Sequence, residues 1–207
     1  MMISPDSYVE SELKGKTLDE VLEMIRSLQQ EMADIKSSKE NGACDAICPS
    51  MQVRVDVLRE YVAAAEAYYT SLGGEYVPSM LEEKAAVFDS NMKHITSITI
   101  TYGGFFEGHE RRTLMRDGNK IVVERLSNRA EAPDAPLYEF MSWDDLLEAL
   151  SYIHMGEWDS RYENHVLDGI QWSVDIKYDH EEPAKHFSGS NRYPYNFDRF
   201  LETMEMA

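Results

Sequence analysis

Ile95-Thr96-Ser97-Ile98-Thr99-Ile100-Thr101-Tyr102 is the stretch whose reading decides the fold. Ile98, Ile100 and Tyr102 alternate with Thr99 and Thr101, so the two sets fall on opposite sides of an extended backbone. A period of two in β-branched and aromatic residues predicts a half-buried strand. Before this stretch the apolar residues recur at helical spacing, and after it alternation returns. The change of period predicts an α+β chain with a helical N-terminal region, 1–92, followed by an antiparallel α+β domain, 93–207.

Downstream, Gly103-Gly104 breaks the strand and reads as a wide hairpin loop. Arg111–Arg116 and Lys120–Leu126 flank Asp117-Gly118-Asn119, a strong hairpin signal. A three-stranded meander over 95–126 is the expectation, then a linker over 127–136 with Pro133 and Pro136. Ser142 caps a helix of about 143–155 that carries Leu146, Leu147, Leu150 and Ile153. Trp172, Val174, Ile176 and Tyr178 alternate as a strand, and a short one follows at Lys185–Ser188. Asn196 caps a last helix with Phe197, Phe200 and Leu201, giving the order βββαββα with helices packed on the sheet.

Upstream, Thr17 and Glu20 form a capping box ahead of a helix over 17–36. Its stripe is Leu18, Val21, Ile25, Leu28, Met32 and Ile35, widened by Leu22 and Met24. A stripe this wide predicts an internal bundle, with a homodimer through 17–36 as the other use of the same face. A second helix, from about Met51 to Leu72, stops at Gly73-Gly74 and shows Val53, Val57, Tyr61, Ala64 and Tyr68 on one side, widened by Val62, Ala65 and Tyr69. Ser79 and Glu82 open a third, over about 80–92.

The 207 residues suffice for one large domain or two small ones, and 43% hydrophobic residues make the chain globular. Met1–Lys16 has no basic start followed by an apolar run, so a signal peptide is not expected and the location is read as cytoplasmic. Cys44 and Cys48 have C-x3-C spacing without a second pair, which favours reduced thiols in a loop over a zinc site.

The segment Trp158 and Tyr162, then Asp168-Gly169-Ile170-Gln171-Trp172, then Gly189-Ser190-Asn191-Arg192-Tyr193-Pro194, then Phe197 and Leu201 forms a recognisable module. In it the C-terminal half resembles a group of small bacterial proteins of uncharacterised activity that share a DGxxW strand and a GSNxYP turn. The resemblance implies a fold unit and supplies no chemistry. The residues agree with folding roles: Trp172 buries a ring, and Gly189 and Asn191 suit positive φ.

Charge is the extreme feature. Thirty-eight acidic residues stand against 20 basic ones, a net of −18. Between Glu131 and Glu182 fourteen carboxylates face only Arg161 and Lys177, whereas the hairpin before them carries Arg111, Arg112, Arg116, Lys120, Arg125 and Arg129. Such a surface repels nucleic acid and anionic membranes and attracts basic partners. Mutual neutralisation on one sheet is the plainer explanation. The functional one is a carboxylate surface that imitates a phosphate backbone. Tyr138, Phe140, Trp143, Tyr152, Trp158 and Tyr162 interleave it.

No nucleotide-binding loop, H-E-x-x-H or G-x-S-x-G motif is present in the chain. The expectation is therefore a non-enzymatic protein, without cofactor or metal, that binds and inhibits a basic nucleic-acid-handling protein such as a nuclease. In class it is analogous to anti-CRISPR inhibitors acting as DNA mimics. The expected partner-binding residues are Asp144, Asp145, Glu148, Glu157, Asp159, Glu163 and Trp158. One alternative is a structural or oligomerising protein that uses the 17–36 helix, and the other is a small-molecule or metal-dependent enzyme on the C-terminal sheet. The enzyme would use His180, Glu181 and His186, or His109, Arg111 and Arg112, provided that such a set converges.

Overall fold

The computed structural model describes residues 3–43, 49–104, 106, 108–128, 141–164 and 169–206. Cys44, Cys48, most of the expected linker, Tyr138, Phe140 and Asp168 lie outside the described residues. The chain divides into two compact units, Met1–Pro78 and Ser79–Ala207. The helix that opens at Ser79 thus belongs with the sheet, whereas the change of period had suggested a boundary at 92/93. Among the described residues no helix is long and apolar enough to cross a membrane.

In the first unit α1 (Pro5–Tyr8) runs into a π-helical turn, Val9–Leu13, and is followed by α2 (Leu18–Glu40) and α3 (Met51–Ser71). The Thr17–Glu20 capping box forms as read. Val21 and Ile25 of α2 meet Ala65 of α3, Tyr8 and Leu13 in one core, so the α2 stripe is spent largely within its own unit. On α3 Val62 and Ala65 are buried as expected, but Met51, Val55 and Leu58 complete the apolar set and Val53 is exposed, which turns the face from the one read in the sequence. The tyrosines explain the shift. Tyr61 stacks on Tyr8 at 4.5 Å and its hydroxyl donates to the Ile3 carbonyl at 2.8 Å, so it sits at the margin of the core.

The second unit begins with α4 (Met80–Asn91) and a 3-10 turn, Met92–His94, which lead into β1 (Ile95–Gly104). Next come β2 (Gly108–Asp117), β3 (Lys120–Ser127), α5 (Trp143–Ser151), β4 (Arg161–Glu163), β5 (Ile170–Tyr178), β6 (Lys185–Ser190) and α6 (Phe197–Thr203). The α+β class and the meander are as read. Gly103-Gly104 does not break β1 but continues it, paired with His109 and Gly108. The six strands lie in the order β3-β2-β1-β5-β6-β4. β4 was missed from the sequence, and its pairing with β6 is parallel, which makes the sheet mixed rather than antiparallel.

Alternation sets the core. Ile98, Ile100, Leu114, Trp172, Val174 and Ile176 are buried together with Phe88 of α4, Leu146 and Leu150 of α5 and Phe200 of α6. Asn196 was read as a cap, but its side chain makes no capping bond. It is buried, accepting from Trp158 Nε1 at 2.8 Å and donating to the Ile153 carbonyl. In the GSNxYP turn, Asn191 does adopt positive φ, 54°. Gly189 does not adopt positive φ. Its reason is close approach, because a Cβ there would lie 2.4 Å from Trp172 Nε1.

Gly156 holds α4 against the turn after α5 in the same way. A Cβ at this position would stand 2.8 Å from Ala85 Cα and 2.9 Å from Phe88 Cβ. Gly156→Ala should therefore push α4 outward and destabilise the sheet unit by about 1–3 kcal/mol in urea unfolding. An unchanged midpoint would show that α4 is not packed there.

Candidate functional site

The acidic helix is built on the β2–β3 hairpin. Asn119, at the turn, accepts the Asp144 amide on its side chain at 3.0 Å and the Trp143 amide on its carbonyl at 3.0 Å, so the hairpin fixes where α5 starts. Ser142 and Asp145 close a capping box. Hydrogen bonds from the Ser142 amide and hydroxyl hold the Asp145 carboxyl below its ordinary range. Trp143, Leu146 and Leu150 turn inward, while Asp144, Asp145, Glu148 and Ser151 face solvent. Asp144 and Asp145, in the first turn, also suit the positive end of the helix dipole.

Beside this face runs an open groove of about 560 Å3 between the end of α4 and α5. Asp89, Met92 and Lys93 line one side, and Leu147, Glu148, Ser151, Tyr152 and His154 the other. Tyr152 is 64% exposed. Apolar walls, a polar rim that carries Asp89 and Glu148 beside Lys93 and His154, and an accessible aromatic ring are the parts of a protein-binding surface.

The remaining expected residues divide. Glu157 is half-buried and accepts the Tyr195 hydroxyl at 2.8 Å. Glu163 accepts from Arg161 Nε at 2.7 Å, and Asp159 is exposed. Trp158 is corrected: it is fully buried, edge-on to Phe187 and Phe200 with centroids at 5.4 Å in both cases, and unavailable to a partner. Trp143 and Tyr162 are buried as well, so Tyr152 is the exposed ring among the described aromatics of this segment.

Neither residue set named for the enzyme alternative comes together among the described residues. On β2 the strand alternation sends Arg111 to solvent and buries Glu110 and Arg112 on the other face. Arg112 donates to Glu110 Oε1 at 2.6 Å and to the carbonyls of Met204 and Glu205 at the end of α6. Arg125 donates to both Glu110 oxygens, at 2.8 and 3.1 Å. This is a structural tie between the sheet and α6. His186 pairs with Asp175 at 2.7 Å, whereas His180 Nε2 lies 3.1 Å from Asn91 Oδ1. Among the described residues, the side chains whose ligand atoms converge are His94, Asp179 and His180. The sequence reading missed His94 because 85 residues separate it from Asp179. The available signal was its place just before β1, while Asp179 and His180 stand just after the paired strand β5.

Comparison of the chain with protein-family models, with curated proteins and with solved structures finds no match.

Proposed function

We propose that this chain is an acidic, non-enzymatic interaction protein that binds a basic, nucleic-acid-handling protein and blocks it through the α5 face. The observation that carries the reading is that α5 exposes Asp144, Asp145 and Glu148, and that Glu148 and the exposed Tyr152 line an open groove beside it. The carboxylates would meet cations that otherwise hold phosphates, and Tyr152 would supply the apolar anchor. The net charge of −18 adds long-range steering toward a basic partner. A nuclease blocked in this way would be inhibited by competition for its nucleic-acid groove.

The test is affinity capture from a bacterial lysate at ~50 and ~300 mM salt, where screening separates charge-driven contacts from others. Basic nucleic-acid-binding proteins should be retained at low salt and released at high salt. Asp144→Lys with Glu148→Lys should abolish their capture, and Tyr152→Ala should weaken it about tenfold or more. Asp145 is left intact because it caps the helix. Capture that is indifferent to both salt and charge reversal would rule the reading out.

A further inference from the structure

We propose that His94, Asp179 and His180 bind a divalent transition-metal ion of the zinc class. All three stand at one end of the antiparallel β1–β5 pair, His94 just before β1 and Asp179 and His180 just after β5. Tyr178 of β5 is in register with Ile95 of β1, and the Asp179 amide donates to the His94 carbonyl at 2.9 Å. The strand pairing therefore brings the three residues to one place.

The spacing suits a small ion. His94 Nδ1 lies 3.0 Å from Asp179 Oδ1, and His180 Nδ1 lies 3.8 Å from the same oxygen. One ligand atom from each residue falls within 4.8 Å of the others. Bonds of about 2.0–2.1 Å in a tetrahedron put ligand atoms roughly 3.3–3.4 Å apart, so the two short separations bracket the required edge. Small side-chain rotations close the remainder.

A second, independent observation concerns the tautomer. Asn91 Nδ2 donates to the Val87 carbonyl at 3.1 Å, which fixes which end of the amide is oxygen. That oxygen then faces His180 Nε2 at 3.1 Å and can only accept. Nε2 therefore carries the proton, and Nδ1, on the Asp179 side, presents its lone pair. A ligating imidazole whose other nitrogen donates to a fixed carbonyl is the usual outer shell of a metal site. Tyr178 packs edge-on against the same ring at 5.8 Å.

Two imidazoles and one carboxylate select zinc-class ions over magnesium or calcium, which take oxygen ligands. The side chains of His94, His180 and Asp179 are 36%, 37% and 46% exposed, so water can complete the coordination. To bind the metal, His94 would ligate as the neutral imidazole through Nδ1, with its one N–H on Nε2.

The experiment is calorimetric titration of the full chain with zinc chloride at neutral pH, in a Cys44→Ser/Cys48→Ser background that removes thiol binding. The expected result is saturable, equimolar binding. His94→Ala and His180→Ala should each weaken it at least about tenfold, and Asn91→Ala about tenfold through lost orientation. His186→Ala should leave it unchanged. Because the histidines are substantially exposed, both variants should melt like the parent. If one fails to fold, the other carries the test. Absence of saturable binding, or affinity that survives in His94→Ala/His180→Ala, would overturn the site.

Discussion

Glu110→Gln should lower the unfolding free energy of the sheet unit by about 3 kcal/mol at neutral pH. The carboxylate is 5% exposed and lies between Arg112, 2% exposed, and Arg125. Removing its charge leaves the Arg112 guanidinium buried, still tied to the α6 carbonyls but without a counter-ion. The effect has a defined pH dependence. Burial pushes the Glu110 carboxyl up, but hydrogen bonds from Arg125 and Arg112 and their charges outweigh it, and it titrates below the ordinary value of 4.5. A folded-state value under the unfolded one contributes stability that is complete above the unfolded value and is lost as pH falls through the depressed one. Urea unfolding of parent and variant should therefore show a gap at neutral pH that narrows in acid. A gap of equal size at both would mean that the ion pairs are not its source.

Trp158→Ala should cost about 3–5 kcal/mol, the range for emptying a large aromatic site in a core. Beyond the volume, it removes the donor to Asn196 Oδ1, which is itself buried, and leaves that oxygen unsatisfied. Trp158→Phe should fall between the two, since a smaller ring can keep contact with Phe187 and Phe200. All three tryptophans lie in the Ser79–Ala207 unit, so indole fluorescence in urea reports this unit specifically. The variant also separates two roles for Trp158. An interface anchor would lose binding and keep stability, whereas a core residue loses stability first. Unchanged unfolding in Trp158→Ala would contradict the burial described above.

Local chemistry made much of the fold legible. The Thr17–Glu20 and Ser79–Glu82 capping boxes, the helix cap at Ser142 and the Asp117-Gly118-Asn119 hairpin depend on neighbours within four residues, and all formed where the sequence placed them. What escaped was non-local. β4 is three residues long, too short to show alternation, and exists because β6 offers it an edge. The assignment of α4 to the sheet unit depends on the contact of Gly156 with Ala85 and Phe88. The site divides the same way. Helical spacing displayed Asp144, Asp145 and Glu148 on α5, but composition does not tell an exposed Tyr152 from a buried Trp158. The convergence of His94 with Asp179 and His180 required the β1–β5 register.

The central claim is that the α5 carboxylates occupy the nucleic-acid groove of a basic protein. Its most direct measurement is fluorescence anisotropy of labelled duplex DNA bound to a guide-loaded Cas nuclease, titrated with the purified chain. Release of the DNA is predicted, with the midpoint raised about tenfold or more by Asp144→Lys with Glu148→Lys. DNA that stays bound at every concentration, or that is released equally by parent and reversed variant, would contradict it.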